Sequence, residues 1–256
     1  MPLRIAFDLD GVLAAMEDEL VHHAETLFGE AMTRRLRERA AEVDSSVEVS
    51  PAKATGSESD GQGSAEPSPD ATPPLLKLDM TARQERRLWQ HVESIQNFWE
   101  TLKEIEPGVI ERLAAVAADH RWEIIFLTKR PETVGSTAQV QSQRWLESKG
   151  FTLPSVYVVQ GSRGRIAAAL GLDVVIDDRP ENCLDVVIDS TARAILVWRD
   201  EKMQVPAAAN RLGIGVVKSV EECLNVLIQI DSPATEKPGM IDRAMRLLGL
   251  KQSAQA

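Results

Sequence analysis

Hydrophobic and polar positions change their period along the chain, and the changes divide it into regions. Leu3-Arg4-Ile5-Ala6-Phe7 is a short apolar run that leads into Asp8-Leu9-Asp10-Gly11, the pattern of a strand that delivers two carboxylates to its carboxyl end before a glycine turn. Helical spacing follows. Leu20, Ala24, Leu27, Ala31 and Leu36 predict a helix from about Ala15 to Ala41. Leu88, Val92, Ile95, Phe98, Trp99 and Leu102 predict another from about Thr81 to Ile105, with Thr81 as its cap. Between them, Val47 to Pro74 is crowded with Ser, Gly, Pro, Ala, Asp and Glu. Such a stretch buries too little apolar surface to offset its ordering entropy, and is expected to be disordered. These segments form a helical module interrupted by a linker.

From Pro107 the pattern alternates. Strands are predicted at Glu123–Leu127, Ser155–Val159, Asp173–Ile176, Ala194–Trp198 and Ile214–Val217. Helices are predicted at Val109–Asp119, Thr137–Lys149, Arg163–Leu170, Asn182–Asp189 and Val220–Ile230. Short apolar strands alternating with helices predict an α/β protein with a parallel sheet covered on both faces. A polar tail from Asp231 carries a short amphipathic helix, about Gly239 to Leu250.

Composition narrows the partners. The 256 residues carry a net charge of -10 with a pI near 5.0, an acidic balance unlike that of a nucleic-acid polymer binder. A small anionic substrate stays compatible, because a bound cation reverses the local field. Cys183 and Cys223 are the only two cysteines and have no metal-ligand spacing, as expected for reduced thiols in a cytoplasmic protein. The first residues lack the pattern of a signal peptide, and no apolar run reaches the length of a membrane span. A soluble, cytoplasmic protein is the expectation.

In open parallel sheets, ligands bind beyond the carboxyl ends of the strands, so the residues that follow each strand are the candidates. They are Asp8 and Asp10, then Thr128, Lys129 and Arg130, then Gln160 to Arg163, then Asp177 and Asp178. Magnesium takes one or two carboxylates together with water and phosphate oxygens, and Asp8, Asp10 through its backbone, and Asp177 are the predicted metal donors. Asp8 is placed to attack phosphorus and Asp10 to protonate the leaving oxygen. Thr128, Lys129 and Arg163 are the predicted phosphate-binding residues, Lys129 adding charge beside Thr128. Lys129 and Arg130 together read as a solvated charge pair, and His22 and His23 as solvated or packing residues.

Asp8-Leu9-Asp10-Gly11-Val12-Leu13, Thr128, Arg163 and Val174-Val175-Ile176-Asp177-Asp178-Arg179-Pro180-Glu181-Asn182 resemble, in order, the four motifs of the haloacid dehalogenase-like (HAD) hydrolase superfamily. The run from Ile176 to Asn182, with Phe98-Trp99-Glu100-Thr101-Leu102 leading into Pro107-Gly108, is most similar to the 5'(3')-deoxyribonucleotidase branch. The third motif usually carries Lys where this chain has Arg163, with Arg165 two residues on.

The resemblance implies a Rossmann-like three-layer core at 1–13 and 106–230. Residues 14–105 become an inserted helical cap containing the disordered stretch, and 231–256 the tail. It implies Mg²⁺-dependent hydrolysis of a small phosphorylated metabolite, including a nucleoside monophosphate, through an aspartyl-phosphate on Asp8. Two other functions fit less of the pattern: a non-catalytic binding module on the same scaffold, and a dehalogenase, which has no use for an acid at Asp10.

Overall fold

The structure is a computed structural model that describes residues 2–47, 78–200 and 204–231. The stretch expected to be disordered, apart from Val47, and the expected tail helix at 239–250 lie outside the described residues. The chain divides into two compact units, one of residues 1–16 and 96–256 and the other of residues 17–95.

The larger unit is built on a six-stranded sheet. Its strands are β1 (Arg4–Asp8), β2 (Glu123–Thr128), β3 (Ser155–Val158), β4 (Val174–Asp177), β5 (Arg193–Val197) and β6 (Gly215–Val217). All pairings are parallel and the order is β3-β2-β1-β4-β5-β6. The order reverses between β1 and β4, the crevice where open sheets of this kind bind ligands. Phe7 pairs with Ile176, so Asp8 and Asp177 end neighbouring strands at the same height.

The helices of this unit are α4 (Val109–His120), α5 (Ala138–Ser148), α6 (Arg163–Leu170), α7 (Pro180–Asp189), α8 (Ala207–Leu212) and α9 (Val220–Asp231). Ala167, Cys183, Val186 and Ala209, from α6, α7 and α8, join Ala6, Ile125, Leu127, Val175 and Leu196 in one buried core layer. Right-handed crossovers put α4 and α5 on the opposite face, where Arg112 of α4 donates to Asn225 of α9 at 2.7 Å. The result is a three-layer Rossmann-like α/β core. Helix α8 escapes the hydrophobic pattern because it is six residues long. Its boundaries are nonetheless written in the sequence, with Pro206 before it and Gly213 after it in the left-handed conformation.

In the smaller unit, the helix expected from Ala15 to Ala41 is two helices, α1 (Met16–Phe28) and α2 (Glu30–Val47). Gly29, at φ 83°, separates them. The second expected helix starts as predicted: α3 (Ala82–Glu93) is capped reciprocally by Thr81 and Gln84. It stops well short of Ile105. Asn97 adopts a left-handed φ of 51° and a single 3₁₀ turn, Phe98–Glu100, follows. Asn97 holds this conformation by donating its N–H to Val134 O at 2.7 Å and accepting from Ser136 N at 2.9 Å. Phe98 and Trp99 therefore belong to the sheet-bearing unit. His23 of α1 and His91 of α3 face each other, Nδ1 to Nε2, at 3.2 Å.

Two predictions follow from this packing. An added Cβ on Gly164 would stand 2.1 Å from the Asp185 carbonyl oxygen of α7, a backbone atom that no rotamer change can move. Gly164→Ala should lower the melting temperature by about 5 °C, the effect of overpacking by 1–3 kcal/mol, as read by thermal denaturation. The His23 pKa is lowered from 6.5, chiefly by burial, with Glu19 opposing and His91 and His22 adding to the shift. The unfolded chain therefore takes up this proton first. Stability from neutral His23 is complete above pH 6.5 and is lost as pH falls through the lower folded value. Melting curves between pH 7 and 5 should fall less steeply for His23→Gln than for the wild type.

Candidate active site

Strand β1 carries Asp8 to the rim of the sheet, and β4 brings Asp177 beside it. Both carboxylates are buried. Arg163, the first residue of α6, spans the pair. Its Nη2 donates to Asp8 Oδ1 at 2.5 Å and its Nε lies 3.6 Å from Asp177 Oδ2. The start of α6 is fixed by Ser162, whose Oγ accepts from Arg165 N at 3.2 Å and donates to Asp185 Oδ2 at 2.6 Å. Arg165 points elsewhere, with a side chain 85% exposed. Of the two arginines, Arg163 is the one in the site.

Asp177 is held from the other side. Arg179 N donates to its Oδ1 at 2.9 Å, and Asn182 Nδ2 lies 3.0 and 2.9 Å from its two oxygens. Asp178 packs against Gly11, where an added Cβ would lie 1.9 Å from Asp178 Oδ2. The turn after β1 is also tied at its far side. Arg199 donates to the carbonyls of Gly11 (2.6 Å) and Val12 (3.0 Å) and pairs with Glu106 at 2.5 Å. Glu106 in turn caps α9 by accepting from Val220 N and Glu221 N.

Asp10 sits beside this pair, and its carboxylate faces β2. Thr128 Oγ1 donates to Asp10 Oδ2 at 3.1 Å. Arg130 Nε donates to Oδ2 at 2.9 Å and its Nη2 to Oδ1 at 2.7 Å. These donors occupy both oxygens of the Asp10 side chain. The expectation that Lys129 and Arg130 form a solvated pair is overturned for Arg130, which is 1% exposed. The cause is legible: residues two apart on an extended strand share a face, and the residue before a proline stays extended. Arg130, before Pro131, therefore continues the Thr128 side of β2, while Lys129 points the other way and is half-buried.

Burial raises the Asp8 carboxyl well above its ordinary range. Asp177 adds to the shift and Arg163 opposes it. Asp177 is raised too, chiefly by burial, with Arg163 and the Arg179 and Asn182 hydrogen bonds opposing. Two buried carboxylates with raised pKa values, sharing one arginine, make a place where further positive charge is stabilised. Among the described residues no group of three or more His, Cys, Asp or Glu side chains is arranged to hold a metal ion. Two carboxylates and a carbonyl still fit magnesium, which keeps several waters and completes its shell with phosphate oxygens.

No family model matches the chain, and no curated protein matches it. Solved structures similar to it include one described as a β-phosphoglucomutase from Thermotoga maritima, with 19% identity and a TM-score of 0.49 over 89% of this chain and 99% of that one. Another is a HAD family hydrolase from Deinococcus radiodurans R1 with bound phosphate and sodium, with 17% identity and a TM-score of 0.49 over 90% and 96%. A third is a dehalogenase with an intermediate complex, with 10% identity and a TM-score of 0.47 over 88% and 96%. No helix among the described residues is long and apolar enough to cross a membrane.

The raised carboxyls make a stability prediction. The folded state binds the Asp8 proton more tightly than the unfolded chain, so burying this carboxyl weighs against the fold at neutral pH, and the penalty fades as pH falls through the folded value toward 3.8. In protein treated with a chelator, Asp8→Asn should melt about 3 °C higher than the wild type at pH 7. That gain should shrink as the pH is brought into the acid range.

Proposed function

We propose that this chain is a HAD-type phosphatase that hydrolyses a small phosphate monoester through an aspartyl-phosphate, with the 5'(3')-deoxyribonucleotidase-like branch as the nearest pattern. The observation that carries this reading is the Arg163 guanidinium lying across Asp8 and Asp177 at the end of neighbouring strands, with Asp10 held alongside. A phosphoryl group entering there meets a nucleophile at the end of β1, an acid in the turn that follows it and a fixed cation from α6.

In this reading Asp8 supplies the attacking oxygen. Arg163 opposes the charge that grows on the phosphoryl oxygens, and Thr128 offers them its backbone N–H. Asp10 gives its proton to the leaving oxygen and later takes one from the attacking water. Asp8, Asp177 and the Asp10 carbonyl are the residues that would hold Mg²⁺, which when bound supplies charge neutralisation between Asp8 and the incoming phosphate. The hold on Asp10 favours this reaction over dehalogenation, since a departing halide needs no proton. In chain order the unit of residues 17–95 is inserted directly after the nucleophile strand, and we assign it the selection of substrate.

The test is release of phosphate from p-nitrophenyl phosphate with magnesium and with chelator. Magnesium-dependent turnover should fall by at least about 10³-fold in Asp8→Asn, the order of loss seen when a nucleophile is removed. Equal rates in the two proteins would overturn the phosphatase reading and leave a binding role for the scaffold.

A further inference from the structure

Arg130 is a fully buried cation that the mechanism above does not use. Its guanidinium is committed on every side. Nε and Nη2 grip Asp10, Nη1 donates to Ser142 Oγ at 2.8 Å, and Cζ lies 4.8 Å from the Trp99 ring and 5.9 Å from that of Trp145. The cage is itself anchored. Ser142 Oγ donates to Ala138 O at 2.7 Å, Trp99 Nε1 to Pro131 O at 3.0 Å and Trp145 Nε1 to Leu102 O at 2.7 Å. A buried ion pair is a weak source of net stability. Its worth here lies in geometry, because a planar fork between two aromatic faces fixes the carboxylate in direction as well as position.

We infer that Arg130 is the positioning residue for Asp10, aiming the acid that the leaving oxygen of an alkyl ester requires. The inference rests on the phosphatase reading. As Asp8 Oδ bonds to phosphorus, the bond from phosphorus to the leaving oxygen breaks and its electron pair stays on that oxygen. The Asp10 carboxyl proton passes to it and gives an alcohol, and Asp10 is left as the carboxylate. That is the form that two N–H groups of Arg130 bind best, so their hold strengthens as the proton departs. Water then attacks the aspartyl-phosphate and gives its proton to Asp10, which frees inorganic phosphate and restores both residues.

The experiment compares kcat/KM for β-glycerophosphate and for p-nitrophenyl phosphate, whose leaving group departs without a proton. Arg130→Lys keeps the charge but not the fork. It should lose about 100-fold or more on the alkyl ester, in keeping with the contribution of a positioned acid, and under about 10-fold on the aryl ester. Asp10→Asn should show the same skew. Ser142→Ala loosens the cage without touching Asp10, and should show a smaller skew of the same sign even if Arg130→Lys does not fold. Equal losses on both esters in Arg130→Lys, or no skew in Ser142→Ala, would overturn the positioning role while Asp8→Asn still reports on the phosphatase reading.

Discussion

Two carboxylates stand side by side at the end of adjacent parallel strands, out of water, and the fold must keep them there. Asp8 and Asp177 repel each other, and burial weighs against the charge on both. Parallel pairing from Phe7 to Ile176 fixes their height, so sliding apart would break the centre of the sheet. What makes the arrangement tolerable is one guanidinium delivered from the start of a helix on the same face. Arg163 offsets part of the repulsion, while the Asn182 amide and the Arg179 N–H share the load on Asp177. The site is thus a region of opposed charge held at the centre of the parallel sheet.

That requirement reaches into the packing of helices beyond the two carboxylates. Arg163 lies over the strands only if α6 begins where it does, and Ser162 caps it at that point through Arg165 N. Asp185 of α7 accepts from Ser162 Oγ and from Gly164 N. Gly164 lets α6 and α7 approach closely enough for both bonds. A sequence of Ser-Arg-Gly therefore encodes a cap, a charge and a close contact in three consecutive positions. The arginine would be a surface residue without its two neighbours. On the other side of β1, the Glu106–Arg199 pair fixes the turn carbonyls while Glu106 caps α9, so the turn after β1 is tied to the helix that follows β6.

How much of this was legible in the sequence depends on the range over which each feature is determined. The strands and the long helices of the core are local patterns, and their ranges in the structure differ from the expected ones by one or two residues. Helix interruptions were less legible. Spacing ran on through Gly29 because apolar positions on both sides keep a helical period. It ran on through Asn97 because Phe98, Trp99 and Leu102 are apolar for a different reason, packing in the sheet-bearing unit. The strand-end carboxylates could be read from position alone. The mutual arrangement of Arg163, Asp8 and Asp177 needed the strand order, which no local pattern contains.

Arg130 shows the boundary between these cases. A charge following Thr128-Lys129 looks solvated when each residue is weighed alone, since most arginines are exposed. Strand periodicity carried one residue further puts Arg130 on the Thr128 face, and a proline at 131 keeps the backbone extended up to that point. Two tryptophans far apart in the sequence then close over it, each with its indole N–H bonded to a carbonyl. Removing Asp10 would strand the buried Arg130 charge, at a cost of about 3–5 kcal/mol. The cage is therefore cooperative: its members are individually ordinary in sequence and become interpretable only together. The same cooperativity turns the Asp10 carboxylate toward Thr128 and Arg130, so that two acids two residues apart are given different neighbours.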